Sequence, residues 1–218
     1  MKILGVDEAG RGPVIGPMVM AGVMLNEKDL HLIKGSKDSK LLTHEKRIEL
    51  DKKIKKNARY KVLVISPEII DNAILSEELN LNWLEAHKQA EIINYLQPDK
   101  AIIDCPSINI NSYKNYLQNL IKNKNIKLIV EHKADFNHLI CSAASILAKV
   151  ERENQMDKIK QKYGNCGPGY PSNKTTQEFT KKNWNKYPEI FRKTWSTFKR
   201  IKNSKNQTKL LKFSEEKD

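Results

Sequence analysis

Short apolar runs alternate along this chain with longer stretches in which apolar residues recur at helical spacing. Ile3, Leu4, Gly5 and Val6 form the first run, and Met18 to Leu25 follows closely enough to predict an antiparallel strand pair joined by a glycine-rich turn. A polar loop holding Ser36, Lys37, Asp38, Ser39 and Lys40 leads into a charged helix over 43–56, and Tyr60 to Ile65 reads as a third strand. Ser66 and Pro67 are a good N-cap and first-turn pair for a short helix. Trp83, His87, Ala90, Ile93 and Leu96 predict an amphipathic helix over 79–97 with His87 in the core, stopped by Pro98. A strand over Lys100 to Asp104, a helix over 111–123 and a strand over 126–131 come next. Phe136, Leu139, Ile140, Ala143, Leu147 and Val150 then mark one long buried helix that starts at Asp135. Strands alternating with helices behind an opening hairpin predict an α/β fold, a mixed sheet flanked by helices.

Beyond Tyr163 the pattern changes to Gly, Pro and Asn punctuation and short basic helices, and the last residues have the composition of a disordered tail. The organisation expected is a core over 1–163, a small basic helical subdomain over 164–203 and a flexible tail over 204–218. A chain of 218 residues can bury a substantial core of this kind.

Charge sharpens the picture. The net charge is +13, and residues 155–218 carry 16 Lys plus Arg against 6 Asp plus Glu, so most of the excess lies at the C-terminal end. Nine of the fifteen aromatics lie in the same stretch, among them Tyr163, Tyr170, Phe179, Trp184, Tyr187, Phe191 and Trp195. Basic residues interleaved with rings suit a surface that follows a phosphate backbone, with the rings mostly packing and the lysines mostly exposed. Cys105, Cys141 and Cys166 are odd in number and far apart, which supports neither a zinc knuckle nor a disulfide framework. No signal-peptide pattern opens the chain and no apolar run approaches membrane-spanning length, so an intracellular, cytoplasmic, soluble protein is expected.

The candidate chemistry lies in Asp7, Glu8, Ala9, Gly10, Arg11 and Gly12. Two acids ending a buried strand are costly unless they are paired or bind cations, and glycines around an arginine let a backbone approach a ligand closely. Asp104 also ends a strand, where open α/β sheets place their sites. Asp135 opens the long helix, where capping alone would account for an aspartate. General acid–base catalysis supplies roughly 3 to 5 kcal/mol. The slowest phosphate-ester hydrolyses need on the order of 20 kcal/mol. Two divalent cations about 4 Å apart can close that gap, and clustered carboxylates are the oxygen ligands such cations prefer.

The run Asp7-Glu8-Ala9-Gly10-Arg11-Gly12-Pro13-Val14-Ile15-Gly16-Pro17 resembles the opening signature of ribonuclease HII, the type 2 ribonucleases H. So do Asp38-Ser39-Lys40-Leu41, the stretch from Ser142 to Arg152, and Gly167-Pro168-Gly169-Tyr170-Pro171-Ser172. The N-terminal spacing is similar to archaeal members. The resemblance implies a ribonuclease H-like fold and endonucleolytic cleavage of RNA in RNA/DNA hybrids and at ribonucleotides embedded in DNA. It implies a two-metal-ion mechanism, using Mg²⁺ or Mn²⁺, that leaves 3′-hydroxyl and 5′-phosphate ends, carried out by a monomer. Asp7, Glu8, Asp104 and Asp135 would be the metal-binding carboxylates. Gly10, Arg11 and Gly12 would hold the backbone at the scissile phosphate and sense the 2′-hydroxyl. Tyr170 would stack on the neighbouring sugar, and Lys40, Ser145 and Lys149 would contact phosphates. Asn173 departs from the aspartate expected after the Tyr-Pro-Ser motif. In the tail, Gln207, Leu210 and Phe213 match the spacing of sliding-clamp peptides but lack the second aromatic, Ser214 standing in its place.

His132 and His138 flank Asp135 and suit surface or supporting positions, and Cys105 reads as an apolar filler. A junction resolvase or integrase would share the acids but not the Gly-Arg-Gly turn or the tyrosine loop. A non-catalytic basic nucleic-acid-binding protein would explain the charge but not four acids at strand ends. A nucleotide-binding enzyme is disfavoured, because Gly10, Gly12 and Gly16 do not fit GxGxxG and two acids would repel a pyrophosphate.

Overall fold

The computed structural model describes residues 1–36 and 42–204. Five strands form one sheet: β1 (Lys2–Ala9), β2 (Met18–Asn26), β3 (Arg59–Ile65), β4 (Lys100–Asp104) and β5 (Lys127–Glu131), in the order β3-β2-β1-β4-β5. β1 pairs antiparallel with β2, which pairs antiparallel with β3, while β1, β4 and β5 run parallel. The opening hairpin and the parallel half are those the apolar runs predict.

The helices are α1 (His44–Asn57), α2 (Pro67–Leu75), α3 (Leu81–Leu96), α4 (Ile110–Leu120), α5 (Ala134–Asn137), α6 (Leu139–Tyr163) and α7 (Lys174–Asn183). A final helical stretch covers 196–204. Their starts follow side-chain caps: Thr43, Ser66, Asn80 and Asn109 each accept an N–H from three residues on. α3 stops because Gln97 turns left-handed at φ 53° and Pro98 follows.

The two faces of the sheet bury different layers, because successive side chains of a strand point opposite ways. Leu4 and Val6 of β1 join Ile92, Ile93 and Leu96 of α3 and Tyr113 and Leu117 of α4 on one face. Ile3 joins Ala143, Ala144 and Leu147 of α6 and Leu50 and Ile54 of α1 on the other. Gly5 shares that second face: a Cβ there would stand 2.5 Å from the backbone of Ile140 and Cys141, so its bare Cα lets α6 lie directly on β1. A third cluster joins Phe179, Phe191 and Phe198 to Val14, Ile15 and Met156, which anchors the C-terminal helices to the opening turn and to α6.

Two sequence expectations fail here. His87 is exposed, its Nε2 3.0 Å from the Tyr116 hydroxyl, because the buried face of α3 is rotated to include Leu84, Glu85, Ala86 and Gln89. The helix expected to run unbroken from Asp135 is two helices, α5 and α6, separated at His138, whose backbone is extended. Phe136 accordingly lies outside the core, 65 % exposed. All three cysteines are buried and free. Among the described residues no helix is long and apolar enough to cross a membrane.

Candidate active site

The register of the sheet determines where the first acids stand. Val6 pairs with Ile103 across the parallel β1–β4 junction, so Asp7 and Asp104 follow side by side at the carboxyl ends of adjacent strands. Asp7 lies two residues beyond Gly5 and therefore faces α6, where the Ser145 hydroxyl donates to it. Its Oδ1 also accepts the Glu8 N–H at 2.8 Å. Glu8, one residue on, points to the opposite face, the side of α3 and Glu85.

The short helix α5 brings the fourth acid. Lys133 takes a left-handed conformation at φ 58°, which turns the chain back after β5. The Asp104 carboxylate then accepts the Ala134 N–H at 3.1 Å. Asp104 thus caps α5, and Asp135 lies inside the helix rather than at its cap, 8 % exposed. Glu131, paired in register with Asp104, is occupied by Asn137 Nδ2 at 2.8 Å and by His138 Nε2 at 3.0 Å. His132 is exposed, with Nδ1 3.2 Å from the Cys105 carbonyl.

Burial and mutual repulsion raise the carboxyls of Asp7 and Glu8 above the usual carboxylate range. Desolvation pushes the Asp7 carboxyl up to about 7, and the charges of Asp104 and Asp135 add to the rise that Ser145 and the Glu8 N–H oppose. Glu8 is raised well above the usual carboxylate range by burial, then by Asp7, Glu85 and Asp104. The Glu8 Oε2 atom is buried without a hydrogen-bond partner. An unpaired buried oxygen among carboxylates that repel one another is a donor set suited to a hard cation. The donors share a neighbourhood rather than a single point: among the described residues no three His, Cys, Asp or Glu side chains form a closed metal-binding cluster.

The turn after β1 forms the next wall. Gly10 has φ +78°, and a Cβ on it would collide with Arg152 Nε at 2.1 Å, so both dihedral and space demand glycine. Gly12 differs: its φ is ordinary and a Cβ would meet nothing within 4 Å, which leaves an open approach to bare backbone. The Arg11 guanidinium turns inward, with Nε donating to Glu85 Oε1 and Nη2 to Asn82 Oδ1, both at 2.8 Å. The turn therefore offers main-chain groups outward and keeps its charge engaged with α3. Glu85, fully buried, has its carboxyl raised to about 7 by burial against the opposing pull of Arg11.

A groove of about 780 Å³ runs past Glu8, Gly10, Arg47, Lys149, Arg152 and Tyr170. Tyr170, 41 % exposed, lies with its ring 5.2 Å from the Arg152 guanidinium carbon, and Arg152 Nη2 donates to the Pro168 carbonyl at 3.0 Å. Across the groove Glu153 accepts from Arg47 Nη2 and stands within hydrogen-bond distance of His44 Nδ1, each at 2.7 Å. Asn173 caps α7 by accepting the Thr176 N–H at 3.1 Å, a task asparagine and aspartate perform alike.

Glu8, Gly10, Lys149 and Tyr170 thus line one groove, Asp7, Asp104 and Asp135 gather with Glu8 at its carboxylate end, and Gly12 stands two residues beyond Gly10 in the same turn. Ser145 is buried beneath Asp7, at 1 % exposure. Lys40 and the peptide residues Gln207, Leu210 and Phe213 lie outside the described residues. Sequence reasoning missed Glu85, an acid hidden in a helix with no motif around it. It also left Arg152 without a task, though that residue closes the Ser142 to Arg152 stretch.

The ribonuclease HII family model matches residues 4–198. The chain is 44 % identical over 207 residues to the ribonuclease HII of Methanosphaera stadtmanae, covering 93 % of this chain and 96 % of that one. Among solved structures it is similar to the ribonuclease H2 from Pyrococcus horikoshii OT3, at 39 % identity and TM-score 0.85 over 94 % of this chain and 98 % of that one. It is also similar to the ribonuclease HII solved with PCNA from Archaeoglobus fulgidus, at 37 % identity and TM-score 0.81 over 91 % and 96 %.

Proposed function

This chain belongs to the ribonuclease HII family, endoribonucleases that cut RNA in RNA/DNA hybrids, and from that premise we propose how its site divides the work. Asp7, Glu8, Asp104 and Asp135 hold two divalent cations, Mg²⁺ or Mn²⁺. The observation that carries this assignment is the crowding of buried carboxylates at adjacent strand ends, with Asp7 raised to about 7 and Glu8 Oε2 unpartnered. Cations held by these four carboxylates would supply positive charge to acidify an attacking water and to offset the leaving oxygen.

The remaining steps belong to the chain. Ser145 orients the Asp7 carboxylate through its hydroxyl. Gly12 lets the substrate backbone close on the turn, so that the main chain of Gly10, Arg11 and Gly12 meets the phosphate and the 2′-hydroxyl before the cut. Tyr170, backed by Arg152, stacks on the neighbouring sugar, and Lys149, with Lys40, takes phosphate charge along the groove. The products carry 3′-hydroxyl and 5′-phosphate ends, and single ribonucleotides within DNA are substrates alongside continuous hybrids.

End-labelled duplexes test this: all DNA, one embedded ribonucleotide, and a continuous hybrid, each with wild type and Asp7→Asn in Mg²⁺, Mn²⁺ or EDTA. Metal-dependent cuts confined to ribonucleotide-bearing strands and lost in the variant are expected. Binding without cutting under every metal would leave a basic nucleic-acid binder instead.

A second assignment follows from the relative solved with PCNA. The tail spacing of Gln207, Leu210 and Phe213 fits a sliding-clamp peptide, and the chain reaches its substrate in company with a clamp. Equal clamp affinity of the full chain and of a Leu210→Ala, Phe213→Ala variant would remove that assignment.

A further inference from the structure

Among the described residues, one of the largest fully buried side chains is an arginine, Arg192, at 0 % exposure. Its hydrogen bonds go to main-chain carbonyls of the turn after β1. Nη2 donates to Gly10 O at 2.6 Å, Nη1 to Arg11 O at 2.7 Å and Nε to Gly16 O at 3.1 Å. Its plane lies 4.9 Å from the Trp195 ring, and Trp195 Nε1 donates to Gly12 O at 3.0 Å. The backbone binds the two segments as well: the Arg192 N–H donates to Val14 O, and the Gly16 N–H to Ile190 O, each at 2.9 Å. A charge so deeply desolvated and spent on carbonyls is costly to keep, and the nearby carbonyls alone give a stability argument no reason for it.

The peptide geometry supplies a reason. In a trans peptide the C=O and the following N–H point in opposite directions. Holding Gly10 O inward aims the Arg11 N–H outward, and holding Arg11 O inward aims the Gly12 N–H outward. Among the described residues neither N–H has a protein acceptor, and the Cβ direction at Gly12 is open space. Two successive outward amides beside open space form a cradle for an anionic or hydroxyl oxygen. The planar fork of an arginine can hold both carbonyls together, which the single ammonium of a lysine cannot do with the same geometry.

We propose that Arg192, assisted by Trp195, is the positioning residue of the Gly10-Arg11-Gly12 turn, setting its two amides toward the ribonucleotide. The inference rests on the reading that this turn senses the 2′-hydroxyl. It gives the basic, aromatic C-terminal segment a task besides phosphate attraction: its most buried charge organises the recognition of ribose from behind.

The test uses the full-length protein with two duplexes, one carrying a single ribonucleotide and its all-DNA twin. Affinities for both are measured in EDTA, followed by single-turnover cleavage in Mn²⁺. Arg192→Lys is expected to lower the cleavage rate about 10- to 100-fold. It should also erase most of the ribonucleotide-over-DNA affinity ratio, while the affinity for the all-DNA duplex stays within about threefold. A purely structural role would lower the unfolding temperature and leave that ratio at its wild-type value, and such a result overturns the proposal. If Arg192→Lys does not fold, Trp195→Phe decides, since it keeps the ring and removes one carbonyl donor; a wild-type rate and ratio there overturn the proposal equally. Failure of the underlying reading is distinct, because wild type itself would then bind both duplexes alike and cut neither, and that overturns both.

Discussion

The two walls of the groove are held by opposite means. On one side Asp7, Glu8, Asp104 and Asp135 are fixed by sheet register and a short helix, and their charges resist one another. On the other side the turn over 10–16, the loop over 167–173 and the segment over 190–195 are laced by backbone bonds. The N–H groups of Val14 and Ile15 both reach Gly169 O, at 2.8 and 3.3 Å, and the isolated Ile15–Phe191 bridge adds to them. The first wall trades stability for chemistry; the second gains stability while shaping a surface. Variants should therefore separate: isosteric carboxylate-to-amide changes cost activity with little cost to folding, and changes on the laced wall cost some of each.

The largest effect expected is on Asp104. Asp104→Asn keeps an oxygen for the Ala134 N–H and so retains the cap on α5, but removes a carboxylate charge. Cleavage should fall about 10³-fold or more with the unfolding free energy little changed. Asp104→Ala should be equally inactive and lose about 1 kcal/mol besides, as the cap disappears. Single-turnover cleavage and urea unfolding of both variants decide the matter, and an Asn variant cutting near the wild-type rate would sink the metal assignment.

Next is the acid dependence of the cation-free protein. Asp7 has a folded pKa of about 7 against 3.8 for the free side chain, and Glu8 is raised as well, so the folded state binds more protons than the unfolded one between those values. Stability from these groups is therefore fully present below about pH 4 and is lost as pH rises through about 7, amounting to on the order of 4 kcal/mol for Asp7. Urea unfolding in EDTA at pH 5 and pH 8 should show wild type losing more over that interval than Asp7→Asn does. Millimolar Mn²⁺ should return stability to wild type at pH 8 and much less to the variant. Parallel pH profiles for the two proteins would mean that the carboxylates are not under the strain described.

The difference between the walls also governs what the sequence discloses. Strands β1 to β5 are legible because an apolar run flanked by polar turns has few other uses, and Asp7, Glu8 and Asp104 are legible because acids ending such runs are anomalous. His87 and Phe136 mislead for one reason: both fit a helical apolar stripe, yet α3 rotates to bury Glu85 and Gln89, and the chain breaks at His138. Gln89 Oε1 accepts the Tyr113 hydroxyl at 2.9 Å and Glu85 Oε1 accepts Arg11 Nε, so one oxygen of each is answered by a partner distant in sequence. Arg192 is hidden by its company, one basic residue among sixteen in a stretch whose excess charge predicts exposure. Pairings of this sort span up to 183 residues, and no local pattern carries them.

On the laced wall, Tyr170 gives the larger of two effects. Its ring stands over Arg152 and faces the groove, so Tyr170→Ala should reduce kcat/KM by about 10- to 100-fold, in line with about 1 to 3 kcal/mol for one stacked base or sugar. Tyr170→Phe keeps the ring and should stay within about threefold of wild type. Equal losses in the two variants would assign the contribution to the hydroxyl and not to the stack.

The smallest effect belongs to Asn173, the position where the sequence reading expects an aspartate. Its Oδ1 accepts the Thr176 N–H, and Thr176 in turn accepts the Gly169 N–H at 3.1 Å and donates to Cys166 O at 2.9 Å. The cap is thus one step from the glycine that leads into Tyr170, and Gly169 O is the acceptor for Val14 and Ile15. Asn173→Ala should cost about 1 kcal/mol of stability, the ordinary value of a cap, and lower cleavage only as far as the tyrosine loop loosens. Asn173→Asp installs the aspartate expected from the sequence and adds a negative charge at the N-terminus of α7, favourable to the helix dipole by a few tenths of a kcal/mol. That same charge stands three residues from Tyr170 on the groove proposed to take phosphates, so any gain in unfolding temperature should come with unchanged or slightly weaker hybrid binding. A variant that gained in both would show that aspartate contributes to the substrate side as well, and that asparagine here gives up something more than a cap.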